Sequence, residues 1–326
     1  LSNLPLKLKT NHAARGGFHT GRSRDGDCAV LLHRIINSEV SMGPTRPPPS
    51  AGIPGNAGRL SIALALAALA VVTCSVRLSA APVDAKRGDM VPIAGASFVM
   101  GGDTGPVDER PAHRVTVAPF RIDRREVSNA DFARFLNAVG SFQDAAGRRL
   151  YDVHDGDARI HRVGGRWRPD KSFEAHPVNE VSWFGARDYC AWRGARLPTE
   201  AEWELAARGT EGRRYPWGNA PPDATRARYG VGWTRTLPVG SLPAGATPQG
   251  VLDLAGNVNE WMSSLYRPYP YNAVDGRENA NSDAARVTRG GAADTGVESL
   301  TGTWRGRTVS RGSRAGHHNI GFRCAK

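Results

Sequence analysis

The chain has 326 residues, 40% of them hydrophobic, and a formal charge of +12, so it holds enough apolar material for a sizeable core in one large or two average domains. The first 59 residues carry eight basic and three acidic side chains, and +5 of the charge sits there. Elsewhere arginines alternate with acids, as in Asp108-Glu109-Arg110 and Asp123-Arg124-Arg125-Glu126. With no basic helix and no aromatic–basic repeat, this charge reads as a solvated arginine-rich surface, and nucleic-acid binding is not expected.

Residues 1–59 show no helical or strand period and include the stretch Pro44-Thr45-Arg46-Pro47-Pro48-Pro49. They read as disordered, or as a leader upstream of a true start at Met42. Leu60–Val76 is an uncharged, mostly aliphatic run of 17 residues between Arg59 and Arg77, followed by Ser79-Ala80-Ala81. Residues 60–81 therefore read as a secretory signal peptide. An uncleaved membrane anchor through residues 60–76 is the alternative, since the run is at the lower limit for a span. Cys74 lacks a lipoprotein context because Thr73 precedes it. The expected location is periplasmic or secreted, with membrane contact only through the uncleaved segment.

From residue 88 to 326 the pattern is that of one domain. Met90–Ile93 and Ser97–Gly101 alternate like short strands around a turn at Gly95, as do His113–Val117 and Phe120–Asp123. A helix starts at Ser128, with Asp131 completing a capping pair, Phe132, Phe135, Leu136 and Val139 on one face, and Gly140 as the stop. Residues 140–180 are weakly patterned, apart from a hairpin turn at Gly164-Gly165. A second helix runs from Ser182 to before Gly194. A third opens on the capping box of Thr199-Glu200-Ala201-Glu202 and stops at Gly209. The proline-rich stretch from Tyr215 to Leu252 reads as loops.

Several segments carry a resemblance. They are ERPAHRVTVAPFRIDRREVSNADFARFL (109–136), HPVNEVSWFGARDYCAWRGARLPTEAEWELAARG (176–209), YPWGN (215–219), GVLDLAGNVNEW (250–261), RVTRGG (286–291) and IGFRCA (320–325). In this order they resemble the formylglycine-generating enzyme, or sulfatase-modifying factor, family. Its broader relatives include ergothioneine- and pyoverdine-pathway enzymes and proteins without known catalysis. The resemblance implies an α+β fold with little regular secondary structure, related to the C-type-lectin-like fold.

The residues and the resemblance together set the chemical expectations. Of four cysteines, Cys190 and Cys324 fall within the domain, and two cysteines in an oxidising compartment favour a disulfide over buried thiols. The resemblance implies the same bridge. In the stretch Asp253 to Glu260, two carboxylates flank a Gly256-Asn257 turn, a donor type that suits calcium. By resemblance Asp253 and Glu260 (side chains) with Gly256 and Val258 (backbone) form a calcium site, and a helix cap at Asp253 is the metal-free alternative. A second calcium loop of the family, here Ala227-Arg228-Tyr229-Gly230, has a cation at an asparagine ligand position and is not expected to bind. Family oxidases place two cysteines after the Gly-Gly pair, where their thiolates hold copper(I). Here Thr295 and Leu300 stand near those positions, with Ala292, Asn259 and Ser264 replacing a usual Ser, Trp and Asp. Copper is not expected, nor is the cysteine-to-formylglycine oxidase activity. Arg305, Arg311, His317 and Asn319 make a candidate groove for a peptide or small acidic ligand, Asn319 by resemblance, with Arg307 and Arg314 in the same basic run and His318 beside it; a solvated face is the alternative. The functional expectation is a binding or accessory module, with a protein partner as one occupant; the alternative is a metal-dependent, non-thiol oxidoreductase using His317 or His318. His113 is expected to make structural hydrogen bonds, and Trp183, Trp203, Trp217 and Trp261 to anchor the core.

Overall fold

A computed structural model describes residues 89–306 and 312–326. The expectations for residues 1–59 and 60–81, and for Arg307 and Arg311, fall outside the described residues. Local sequence signals set the helices. In α1 (Asn129–Val139) Ser128 accepts from the Asp131 backbone in a complete capping box, and Gly140 closes the helix in the left-handed conformation at φ 74°. In α2 (Trp183–Trp192) Ser182 caps Gly185, and in α3 (Glu200–Arg208) Thr199 and Glu202 form a second capping box. Among the described residues no helix is long and apolar enough to cross a membrane.

The strands are β1 (Met90–Ile93), β2 (Ala96–Met100), β3 (His113–Val117), β4 (Phe120–Asp123), β5 (Ile160–Val163), β6 (Arg166–Pro169), β7 (Asn259–Leu265), β8 (Arg286–Arg289) and β9 (Ile320–Gly321). β5 and β6 form the hairpin expected around Gly164-Gly165. β1 and β2 flank Gly95 but do not pair with each other. β1 joins β4 with Met90 opposite Asp123, and β2 joins β3 with Ala96 opposite Val117. Gly95 lies against the Ala118-Pro119 corner, where an added Cβ would sit 2.5 Å from the Pro119 nitrogen. The two reversals are thus pressed together and each strand finds its partner across them. β7 lies centrally in a three-stranded sheet, antiparallel to β8 and parallel to β9.

One core cluster gathers α1, α2 and the hairpin through Phe132, Phe135, Ile160, Trp167, Trp183 and Tyr189, with Phe322 beyond β9. A second joins α3 to β2, β3, β7 and β8 through Phe98, Met100, Trp203 and Met262. Trp183, Trp203 and Trp261 are core anchors as expected, whereas Trp217 is half-buried and stacks on Tyr215 at 5.2 Å. His113 is structural, contacting the Pro111 carbonyl and accepting from the Tyr271 backbone. Cys190 of α2 is bonded to Cys324 beyond β9, across 134 residues. The final segment is stitched to earlier ones: Ala325 bridges Ile122 of β4 and Arg196, and Lys326 exchanges backbone hydrogen bonds with Arg121.

The expectation of a purely solvated arginine surface is corrected. Arg277, Arg286, Arg289, Arg305 and Arg323 are among the largest fully buried side chains. Arg289 pairs with Glu200 and Glu204 of α3 at 2.9 and 2.6 Å, and Arg305 grips Glu200 at 2.6 Å. Arg286 stacks on Trp183 at 3.7 Å while donating to three carbonyls. Loops that expose few backbone partners to each other are joined by these planar five-donor groups instead.

Candidate functional site

The loop from Asp253 to Glu260 is the hub of the irregular half of the fold. Asp253 and Asn257 adopt positive φ (57° and 66°), and an added Cβ on Gly256 would meet the Arg228 carbonyl at 2.3 Å. That close approach lets Gly256 donate to Gly290, and Asn257 to Arg228. Ala293 donates to Asn257, Val231 to Ala293, and Asn259 to Asn319. One loop therefore carries the segment after Gly291, the 228–231 segment and Asn319.

Its acids are crowded, with Glu260 buried and Asp253 half-buried. Glu260 is spanned by Arg323 at 2.7 and 2.8 Å and accepts from the Trp203 indole at 3.0 Å. Asp253 accepts from the Gly240 backbone. A third carboxylate, not anticipated from the sequence, is that of Glu126, which accepts from Asn257 Nδ2 at 2.7 Å and the Val258 backbone at 3.3 Å. Burial, then the Asp253 and Glu260 charges, push the Glu126 carboxyl well above its ordinary 4.5 despite Arg323. Burial likewise raises Asp253. Two buried carboxyl groups, Glu126 and Glu260, and the half-buried Asp253 thus share one buried cation, a donor set that fits a divalent cation in this loop. Both Glu260 oxygens already have partners, and among the described residues Asp253 and Glu126 have no ion pair of their own.

A pH dependence follows. Between 4.5 and its raised folded value, Glu126 holds in the native state a proton that the unfolded chain has released. In chelator-treated buffer, its contribution is full below 4.5 and is lost as pH rises through the folded value. Denaturant melts between about pH 5 and pH 8 are expected to show stability falling with pH, and Glu126→Gln to flatten that slope. An unchanged slope in the variant would remove Glu126 as its source.

The segment after Gly291 contains no thiol. Thr295 Oγ1 accepts from the Ala292 backbone at 2.8 Å and lies 2.6 Å from Ser299 Oγ, closing a tight turn. Leu300 is fully buried with Tyr215, Ala227 and Ala255. The hydroxyl is spent on the turn and the leucine on packing. Asn259 Nδ2 donates to the Asn319 carbonyl, and Ser264 accepts from the Glu200 backbone at 2.9 Å. Arg228 donates to the Arg235 carbonyl.

The candidate groove is partly reassigned. Arg305 does not line it: its guanidinium is fully buried between Glu200, the Asp108 and Arg267 carbonyls and the Tyr266 and Tyr269 rings. Arg314 is exposed and paired with Asp283. His317, His318 and Asn319 do lie at the surface end of the hub. The Asn319 amide donates to Asp294 at 3.1 Å, and His318 Nε2 is 3.0 Å from Asp294 Oδ2. Trp233 packs 5.6 Å from the His318 ring, beside Arg159. The groove is thus mixed in charge, and its acid, Asp294, immediately precedes Thr295.

Comparison with known proteins agrees with this architecture. Residues 77–326 match the family described as Sulfatase-modifying factor enzyme 1-like domain. The serine/threonine-protein kinase Pkn1 of Chlamydia trachomatis is 37% identical over 243 residues, covering 73% of this chain and 38% of the kinase. The formylglycine-generating enzyme of Thermomonospora curvata is 36% identical over 284 residues, covering 72% of this chain and 92% of that enzyme. The solved structure of PvdO from Pseudomonas aeruginosa matches with a TM-score of 0.58 at 25% identity, covering 74% of this chain and 95% of PvdO. The chain spans little more than a third of the kinase relative's length.

Proposed function

The chain belongs to the family of sulfatase-modifying factor enzyme 1-like domains, and we propose that it is an exported member whose scaffold serves as a binding or accessory module without copper-dependent thiol oxidation. The observation that carries this reading is the chemistry of the segment after Gly291. Copper(I) is soft and selects sulfur ligands, whereas Thr295 offers a hydroxyl tied into a turn and Leu300 a buried hydrocarbon. The two domain cysteines are consumed in the Cys190–Cys324 bridge. The bridge also supports export to an oxidising compartment, periplasmic or extracellular, in keeping with the apolar run at 60–76.

Calcium is part of the proposal. Asp253 and Glu260, with the Gly256 and Val258 carbonyls, would hold it, and Glu126 would supply further negative charge. The ion would offset this negative charge and brace the loop on which Asn319 and the Gly291 segment rest. The ligand is proposed to be a peptide or small molecule with polar groups that engage Asp294, His318 and Asn319.

The test is direct. Incubated with copper(I) and a Cys-x-Pro-x-Arg peptide, the purified chain is expected to yield no formylglycine, while a thiol-bearing family enzyme under the same conditions does. Formylglycine above the no-enzyme control would refute the reading. Calcium is expected to raise the melting temperature of chelator-treated protein, and Asp253→Asn to reduce that gain.

A further inference from the structure

Among the described residues, one group of three His, Cys, Asp or Glu side chains brings its ligand atoms within 4.8 Å of one another: Asp157, Glu180 and His318. The three donors come from separate segments: the turn before β5, the strand-like stretch before α2, and the approach to β9. Several features separate this group from an ordinary surface ion pair. Glu180 is 1% exposed, so its carboxyl lies inside the fold and not on a solvated face. Its backbone is held at φ 51°, a left-handed conformation unusual for glutamate. Gly316 permits this packing: an added Cβ there would lie 2.2 Å from the Glu180 carbonyl oxygen. Glu180 also receives no freedom from its neighbours, since its N–H donates to His317 and its carbonyl accepts from Asp152. Asp157 is positioned by Asn179, whose amide donates to the Asp157 carbonyl at 2.7 Å.

His318 uses its two ring nitrogens differently. Nε2 faces Asp294 at 3.0 Å, and Asp294 is itself held by the Asn319 amide. Nδ1 faces Asp157 Oδ2 at 3.8 Å. A carboxylate on the far nitrogen is the arrangement that fixes the tautomer of a metal-ligating histidine and raises its basicity. With the proton on Nε2, the Nδ1 lone pair is turned to the carboxylates.

We infer that Asp157, Glu180 and His318 bind a divalent first-row transition-metal ion, Zn2+ being the best match, with Asp294 orienting His318. Two carboxylates and a neutral imidazole balance the charge of such an ion. The nitrogen donor argues against calcium and the oxygen donors against copper(I). Three protein ligands leave a position open to water or to an oxygen-bearing ligand. The Asp157 and His318 side chains are 34% and 29% exposed, so the open side faces solvent, beside Trp233. The site lies in the groove assigned above, so the inference deepens the binding reading by naming an anchor for the ligand's oxygens.

The experiment uses the full chain, stripped with chelator and saturated with Ca2+ so that the Asp253 loop is out of play. Zn2+ is then titrated by calorimetry. One equivalent is expected to bind. Asp157→Asn and His318→Ala are each expected to weaken binding at least tenfold, and Asp294→Asn by about 10–100-fold. Co2+ in place of Zn2+ is expected to give a visible ligand-field band that His318→Ala abolishes. Metal-free melts of the variants confirm folding; both substituted ligands are partly exposed, so their loss is tolerated without Glu180 being touched. Absence of Zn2+ binding, or equal affinity in the wild type and both ligand variants, overturns the inference. Because the assay reads the metal alone, its failure leaves the thiol argument standing, and formylglycine production would leave this one standing.

Discussion

Replacing Arg323 with alanine is expected to destabilise the domain by about 3–5 kcal/mol, the range for breaking a buried ion pair from one side. Arg323 is fully buried and makes five contacts at once: both oxygens of Glu260 and the carbonyls of Asp123, Arg124 and Leu252. Its removal leaves Glu260 with the Trp203 indole and leaves Glu126 and Asp253 without a buried cation. A single-domain stability is about 5–15 kcal/mol, so the loss is a fifth of the total or more. Arg323→Lys keeps the charge but not the planar fork and is expected to fall between the two. Urea denaturation followed by tryptophan fluorescence measures the difference. A change of less than about 1 kcal/mol for the alanine variant would mean that the carboxylates are neutral or otherwise compensated.

Loss of the Cys190–Cys324 bridge is expected to cost about 2–5 kcal/mol. Both half-cystines are fully buried in the cluster of α1 and α2. The bridge closes 134 residues, and in the chain-entropy treatment a ring of that size restricts the unfolded state by nearly 5 kcal/mol, a value that native strain reduces. The double replacement by alanine adds the loss of two buried sulfurs. Denaturation curves of wild type with and without reductant, set beside the double variant, separate the two contributions. If reductant shifts the wild-type midpoint and the double variant matches the reduced protein, the cross-link itself carries the effect. If the midpoint does not move, the bridge is dispensable for stability.

What was legible in the sequence was local. Ser128, Ser182 and Thr199 cap their helices because the donor and acceptor lie within three residues of each other. The pairing of β1 with β4 was not legible, because it depends on Gly95 meeting Pro119 across the fold. Arg305 was misplaced for a related reason. A charged side chain among other arginines reads as surface unless its partner is known, and Glu200 lies 105 residues away. Glu126 escaped notice because its partners Asn257 and Val258 are more than 130 residues distant. His318 looked like half of a bare histidine pair; only the fold brings Asp157, Glu180 and Asp294 to it.

The stitching of the last described segment to earlier ones has a consequence for biosynthesis. β9, the Cys324 half of the bridge, Arg323 and the Ala325 pairings all belong to residues 320–326, while their partners on β4, α2 and β7 leave the ribosome well before them. Until that segment emerges, β4 lacks its neighbour, β7 lacks one flank and Glu260 lacks its guanidinium. Contacts of such long sequence separation are slow to form and cannot be nucleated locally. The domain is therefore unable to complete its core until residues 320–326 have been made, and a chain halted before them lacks the bridge, the buried guanidinium and a flank of β7 together.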